Sequence, residues 1–196
     1  MIPDGIAELH RRSVETFDRL VHQVEPGQWR NPTPCTEWDV RALVNHVTNE
    51  NLWAGALFGG RTIAEVGGAF DGDVLGDDPT ATWERASRDA LARMGEPGAM
   101  DRPVGLSRGR VPGRDYAVEL YADHVMHSWD LAKGIDADDA LDPGIVGPAK
   151  EWFATVEDAY RAVGSIAERP LIPDDADDQT VFLAMTGRRR DWTPPA

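Results

Sequence analysis

Residues 116–133, YAVELYADHVMHSWDLAK, combine a helical pattern of apolar residues with side chains that bind metals well. At about 100° per residue, Asp123 and His127 lie roughly 40° apart, one turn from each other, on an arc that also holds Leu120 and Leu131. Burying a carboxylate or an imidazole without a partner costs several kcal/mol. A divalent metal bound by both side chains offsets this cost, so the pattern predicts a metal site on the inner face of the helix. The alternative is an ion pair between residues four apart.

A third ligand is predicted on a second helix, where His46 lies in line with core residues. Two histidines, a carboxylate and one open position are typical of zinc sites that exchange ligands. Two neighbours leave the ligand set open. His124 lies about 60° from His127 on the wheel and can replace Asp123. Glu50, one turn after His46, can ligate or accept a hydrogen bond from a ligand. The order of preference is His127 and His46, then Asp123, then His124 and Glu50.

The other reactive side chains lack a comparable pattern. Cys35 stands just before the predicted start of the second helix, where a thiolate would feel the positive helix end. A small buried side chain is the simpler interpretation, since the helical rise places Cys35 roughly 15 Å from the level of His46. No role is predicted for His10 or His22. The arginine run 188–190 is interpreted as a solvated tail.

Composition excludes some classes of function. The 196 residues include 34 acidic and 20 basic side chains, for a net charge of −14, which repels a phosphate backbone and argues against nucleic-acid binding. A single cysteine excludes an internal disulfide. The opening stretch MIPDGIAELHRRS is polar and no apolar run approaches 18 residues, so neither a signal peptide nor a membrane span is predicted. The expected location is the cytoplasm.

The predicted elements are helical throughout. A glycine- and acid-rich loop is expected at 59–78. The stretch 97–113 is expected to be a long crossover, because its periodicity does not support a strand. These features predict an all-α protein, an up-and-down four-helix bundle with long connections and a C-terminal helical appendix. The bundle domain is assigned to 1–165, and 166–196 to a tail whose short helix packs on it. Helices are predicted at 4–24, 36–58, 80–94, 116–133, 143–163 and 180–188.

Two segments resemble a known protein family. NPTPCTEWDVRALVNHV (31–47) and HSWDLAKGI (127–135) are similar to an actinobacterial family of metal-binding proteins. That family belongs to the DinB-like superfamily, which includes the mycothiol-dependent maleylpyruvate isomerases. The resemblance covers the first five predicted helices, and the closing FLAMTGRRRDW (182–192) is also similar to the family's C-terminal end.

The resemblance implies a four-helix bundle that binds a divalent metal at one end, with zinc as the first expectation and nickel as the alternative. The ligands of the superfamily correspond to His46, Asp123 and His127. The first of the paired ligands is often Glu or His there, so Asp123 is a shorter side chain than usual.

Two functions are compatible with this resemblance. The first is a metal-dependent enzyme, a transferase or isomerase, in which the metal binds a low-molecular-weight thiol such as mycothiol and lowers its pKa. The alternative is a non-catalytic protein of the stress response that binds a metal or a small ligand. The expected partners are a small-molecule substrate or thiol, without nucleic acid or membrane, and a homodimer is compatible with either function.

Overall fold

Four long helices form the framework of the chain. A computed structural model describes residues 1–195, with a mostly helical fold that confirms the all-α, DinB-like prediction. In chain order the elements are α1 (Ile6–Val21), α2 (Val40–Phe58), α3 (Ile63–Val66), α4 (Pro79–Met94), β1 (Pro103–Leu106), β2 (Gly109–Pro112), α5 (Gly113–Gly134), α6 (Pro143–Phe153), α7 (Glu157–Ala162) and α8 (Asp178–Met185).

The four helices of the bundle are α1, α2, α4 and α5. Helix α1 packs along α5 and α2 packs along α4, and contacts of α2 with α5 and of α1 with α4 close the ring. Helices α2 and α5 are antiparallel, since the ring of His46 faces that of His127 whereas Phe58 stacks on Tyr116 near the other end. This pair brings the predicted ligands of two helices face to face.

Direction does not alternate from one long helix to the next. Helices α2 and α4 are parallel, because Gly55 lies beside Asp89 and Gly59 lies beside Arg93. The connection 59–78 is long enough to return along the bundle before α4 begins, which permits this arrangement. The bundle therefore runs up, down, down and up.

Helix α2 begins later than the sequence suggests. The expected start at residue 36 is wrong, because Asp39 is the N-cap and accepts a hydrogen bond from the backbone N–H of Ala42 at 2.8 Å. The preceding chain is held in a loop by a bridge between Pro32 and Asp39 and by a bond from the Val40 N–H to the Asn31 carbonyl. Residues 32–39 therefore fold across one end of the bundle.

The crossover before α5 contains a hairpin that periodicity does not predict. Strands β1 and β2 pair antiparallel from Pro103 with Pro112 to Leu106 with Gly109. Each strand has only four residues, too few for an apolar and polar alternation to be visible. The hairpin places its two-residue turn, which includes Arg108, beside the start of α5.

The helix predicted at 143–163 is broken into α6 and α7. Between them the backbone N–H groups of Thr155 and Val156 bond to carbonyls three residues back, and the Thr155 hydroxyl also bonds to the Trp152 carbonyl at 2.7 Å. These competing bonds end the regular helix.

The C-terminal segment adds to the main core. Helix α8 packs on α6, and Phe182 and Leu183 are fully buried. The division of the chain at residue 165 stays a prediction. Within residues 1–195, no helix has the length and apolar character needed to cross a membrane.

Candidate metal centre

The structure brings together the three predicted ligands. The Asp123 carboxylate lies between the two imidazoles, with Oδ2 at 3.3 Å from Nε2 of His46 and Oδ1 at 3.3 Å from Nε2 of His127. One ligand atom from each residue lies within 4.8 Å of the other two. His127 is nearly fully buried, whereas His46 and Asp123 are about a quarter exposed, so the cluster is open on one side.

The contacts among these side chains are compatible with a bound metal as well as with the ion pair that is the alternative. Oδ2 of Asp123 is inaccessible to solvent and has no hydrogen-bond partner among the described residues, although Nε2 of His46 is only 3.3 Å away. Two atoms that each lie about 2.0–2.2 Å from a tetrahedral zinc ion are roughly 3.4 Å apart. The two 3.3 Å distances are therefore close to the separation of atoms that share one ion.

A buried carboxylate fixes the orientation of His127. Oδ2 of Asp130 lies 2.9 Å from Nδ1 of His127, which leaves Nε2 turned toward Asp123. Asp130 is completely buried and also pairs with Arg188, whose terminal nitrogen lies 2.9 Å from the same oxygen. Carboxylates that bind the second nitrogen of a ligating histidine set its tautomer and raise its basicity. Arg188, Asp130 and His127 thus form a chain of contacts that leads from the C-terminal segment to the cluster.

Sequence reasoning missed both supporting residues. Asp130 stands three residues after His127, a spacing at which helix side chains touch, so its position gave a usable signal. Arg188 was interpreted as part of a solvated tail, and this is wrong, because its side chain is only 10% exposed. The pairing joins residues 58 positions apart, so no local pattern could indicate it.

The carboxylates on either side of His127 set its charge. Burial by itself lowers the pKa of His127, but Asp123 and Asp130 raise it to about 9. Burial likewise opposes ionisation of Asp123, yet His127 and His46 hold the pKa of its carboxyl well below the usual range. Without metal at neutral pH, the cluster therefore has a protonated His127 between two ionised carboxylates.

His124, the alternative ligand, faces away from the cluster. Its Nδ1 lies 2.6 Å from the Leu120 carbonyl and its Nε2 lies 3.0 Å from Nδ2 of Asn51. Its ring packs edge-on against that of His10, which is fully buried although its sequence pattern indicated no role. Burial lowers the pKa of His124 to about 4, so it is neutral. Its nitrogens are already bonded within the bundle, and it does not join the other three residues.

Glu50 lines the open side of the cluster. Its carboxylate has no ion-pair partner among residues 1–195, and burial together with the charge of Asp123 raises its pKa to about 7. The structure leaves Glu50 free to accept a hydrogen bond or to bind what enters the site.

A cavity of about 680 Å³ adjoins the cluster. Trp38, from the loop before α2, covers the imidazoles, with ring centroids 4.6 Å from His46 and 5.6 Å from His127. Trp152 and Phe153 of α6 line another wall. Cavities of this volume suit small molecules, and aromatic walls exclude water from them.

Comparison with known proteins identifies the family. Residues 10–132 match the model of the mycothiol maleylpyruvate isomerase N-terminal domain. The chain belongs to this family. The match spans the three clustered side chains and Asp130, and it confirms the family resemblance over segment 31–47 and residues 127–132 of the second segment, whereas the closing stretch 182–192 lies beyond it.

Relatives of this family member occur in mycobacteria. Two uncharacterized proteins of Mycobacterium tuberculosis, from strains CDC 1551 / Oshkosh and H37Rv, are each 28% identical over 184 residues. The aligned region covers 91% of this chain and 97% of each relative. No solved structure gives a significant match to the chain.

Cys35 of this family member lies on the cavity wall. The predicted separation of Cys35 from the level of His46 is wrong, because it assumed a helix from residue 36. Helix α2 begins only at Val40, and the loop before it folds back over the bundle end. Burial raises the pKa of the Cys35 thiol to about 11. The thiol is therefore protonated at neutral pH, which argues against its acting as a nucleophile.

Metal binding by this family member is expected to release about one proton near pH 7, because a ligating His127 must be neutral. The apparent affinity for Zn²⁺ should then rise about tenfold per pH unit and level off above pH 9. Calorimetric titrations in buffers of different ionisation enthalpy measure the number of protons released.

The same pKa determines how metal-free stability depends on pH. The folded-state pKa of His127, about 9, is raised above the ordinary histidine value of 6.5. Its contribution to the free energy of unfolding is therefore complete below pH 6.5 and is lost as the pH rises through 9. Metal binding at pH 7 without proton release would contradict this charge state.

Proposed function

We propose that His46, Asp123 and His127 hold one divalent metal ion, with zinc as the first choice, and that the adjoining cavity accepts a low-molecular-weight thiol such as mycothiol. The observation that carries the proposal is the Asp123 carboxylate between two Nε2 atoms, with one buried oxygen that meets no hydrogen-bond criterion. Three protein ligands with an open side are typical of metal sites that exchange their fourth ligand.

The bound ion supplies Lewis acidity, which lowers the pKa of a thiol entering the open position. The protein's own residues orient the ligands, cover them and exchange a proton. Asp130 holds His127 in the orientation that presents Nε2, and Trp38 shields both imidazoles from water. Glu50, with a pKa near 7, can exchange a proton with the incoming thiol. The reaction class that we propose is transfer of the thiol to an electrophilic substrate.

Loading the purified protein with Zn²⁺ or Co²⁺ tests the site. Elemental analysis should find about one ion per chain, and addition of mycothiol to the cobalt form should produce a sulfur-to-cobalt charge-transfer band. Thiol transfer to 1-chloro-2,4-dinitrobenzene should require the metal and stop when the metal is removed.

Cys35→Ser provides the control for the source of the sulfur. This variant should keep the metal content, the spectral band and the transfer rate, because the nucleophile comes from the added thiol. A chain that stays metal-free after loading would disprove the site. Metal and thiol binding without transfer would instead indicate a non-catalytic binding protein.

A further inference from the structure

Acidic residues outnumber arginine and lysine in the lining of the cavity beside the candidate metal centre. Four acidic residues line it, namely Glu37, Glu50, Glu119 and Asp123. Apart from the two clustered histidines, Arg188 is the single basic residue among the lining residues described by the structure.

The charge of the Arg188 guanidinium is balanced within the protein. Its Nε and one terminal nitrogen donate to the two oxygens of the buried Asp130, at 3.4 and 2.9 Å. Its other terminal nitrogen donates to the Thr186 carbonyl at 2.7 Å. Because the buried Asp130 carboxylate already balances this charge, Arg188 offers no net positive charge to a substrate carboxylate.

Glu119 of the lining is paired with a cation. Arg108, in the turn between β1 and β2, donates to the Glu119 carboxylate. Glu119 is about a quarter exposed, and its burial raises the pKa of its carboxyl although Arg108 opposes this. The pair is electrically balanced while both charges are present, so Arg108 adds no net positive charge to this wall.

Charge at the open side of the cluster further disfavours anionic substrates. With the thiol proton on Glu50, the charges of Asp123 and a thiolate would balance those of a divalent ion, so the centre would have no net positive charge to attract a carboxylate. A carboxylate brought into this partly buried space meets like charges that water screens poorly. Aromatic walls formed by Trp38, Trp152 and Phe153 remain available to uncharged or cationic groups.

We propose that the electrophile of this site is neutral or cationic, with an aromatic or other apolar body, and that Glu119 contributes to the discrimination against carboxylates. The inference rests on the proposed thiol transfer and names the substrate class of the same site.

Two aryl chlorides of equal size test the selectivity of the metal-loaded protein. 4-Chloro-3-nitrobenzamide is neutral and 4-chloro-3-nitrobenzoate is an anion. With either compound, the thiolate sulfur bonds to the chlorine-bearing carbon, the carbon–chlorine bond breaks, chloride leaves and the thiol proton passes to solvent. Relative to the uncatalysed rate, the amide should be enhanced at least about tenfold more than the benzoate, a modest effect for one like charge at short range.

The variant Glu119→Gln tests the assigned residue. It removes one carboxylate and releases Arg108, so the preference for the amide should fall about tenfold. The double variant Glu119→Gln with Arg108→Ala removes both charges, so its preference for the amide should fall less than that of Glu119→Gln alone. Glu8→Gln, on the surface of α1 where it pairs with Arg11, is the matched control and should keep the wild-type preference.

Binding provides a readout that does not depend on turnover. Calorimetry with unreactive 3-nitrobenzamide and 3-nitrobenzoate, on protein loaded with metal and thiol, should give tighter binding of the amide. If neither chloride reacts but the amide binds more tightly, thiol transfer fails and the inferred selectivity stands. Faster reaction or tighter binding of the benzoate would overturn the selectivity while leaving the metal and thiol site intact.

Discussion

His127→Ala is expected to abolish stoichiometric metal binding, together with any thiol transfer that depends on it. His127 is nearly fully buried, and its Nε2 is directed at Asp123 by the contact of Nδ1 with Asp130. Alanine removes one of three ligands. Within residues 1–195, no other group of three or more potential ligands lies close enough together to hold an ion in place of this cluster. His46→Ala should have the same effect from the opposite helix. Elemental analysis and competition with a chelating dye measure both losses.

The matched control is His124→Ala, on the same helix and equally buried. Its nitrogens bond to Leu120 and Asn51, so its removal should lower the stability of the fold but change metal affinity by less than about tenfold. Thermal unfolding of each variant separates loss of the ligand from loss of the fold. If His124→Ala emptied the site while Asp123→Ala did not, the ligand assigned on α5 would be wrong.

Periodicity was sufficient to find the cluster. Asp123 and His127 are four residues apart, so one helical turn fixes their proximity, and His46 shares an inward arc with core residues. The long helices follow from the same signal. The residues that complete the site come from less regular chain: Trp38 depends on a loop that folds back, and Arg188 depends on a contact with Asp130 across 58 positions.

Local hydrogen bonds that compete with the helical ones explain why the start of α2 and the end of α6 differ from the prediction. Residue 36 has a capping side chain, but it lies in a turn closed by the bond from the Trp38 N–H to the Cys35 carbonyl, and Asp39 is the cap instead. The break after α6 coincides with the hydrogen bond that the Thr155 hydroxyl donates to the Trp152 carbonyl. The periodicity of apolar residues does not predict these helix ends, because each end depends on one or two hydrogen bonds.

Arg188→Ala is expected to lower the free energy of unfolding by about 3–5 kcal/mol, the range for breaking a buried ion pair by removing one partner. Asp130 is completely buried and would keep its charge without the guanidinium that balances it. The same change should weaken metal binding about 10–100-fold, the range for partners that orient a ligating histidine. Chemical denaturation and chelator competition measure the two effects.

Arg190→Ala is the matched control, two residues further along the chain. Arg190 pairs with Asp139, and both side chains are partly exposed, so its loss should cost only about 0–1 kcal/mol and leave metal affinity unchanged. Arg188→Lys keeps the charge but cannot make the two-point contact with Asp130, and it should fall between alanine and the wild type. If Arg188→Ala lowered stability without weakening metal binding, Asp130 would not transmit the effect of Arg188 to His127, and the C-terminal segment would support the fold alone.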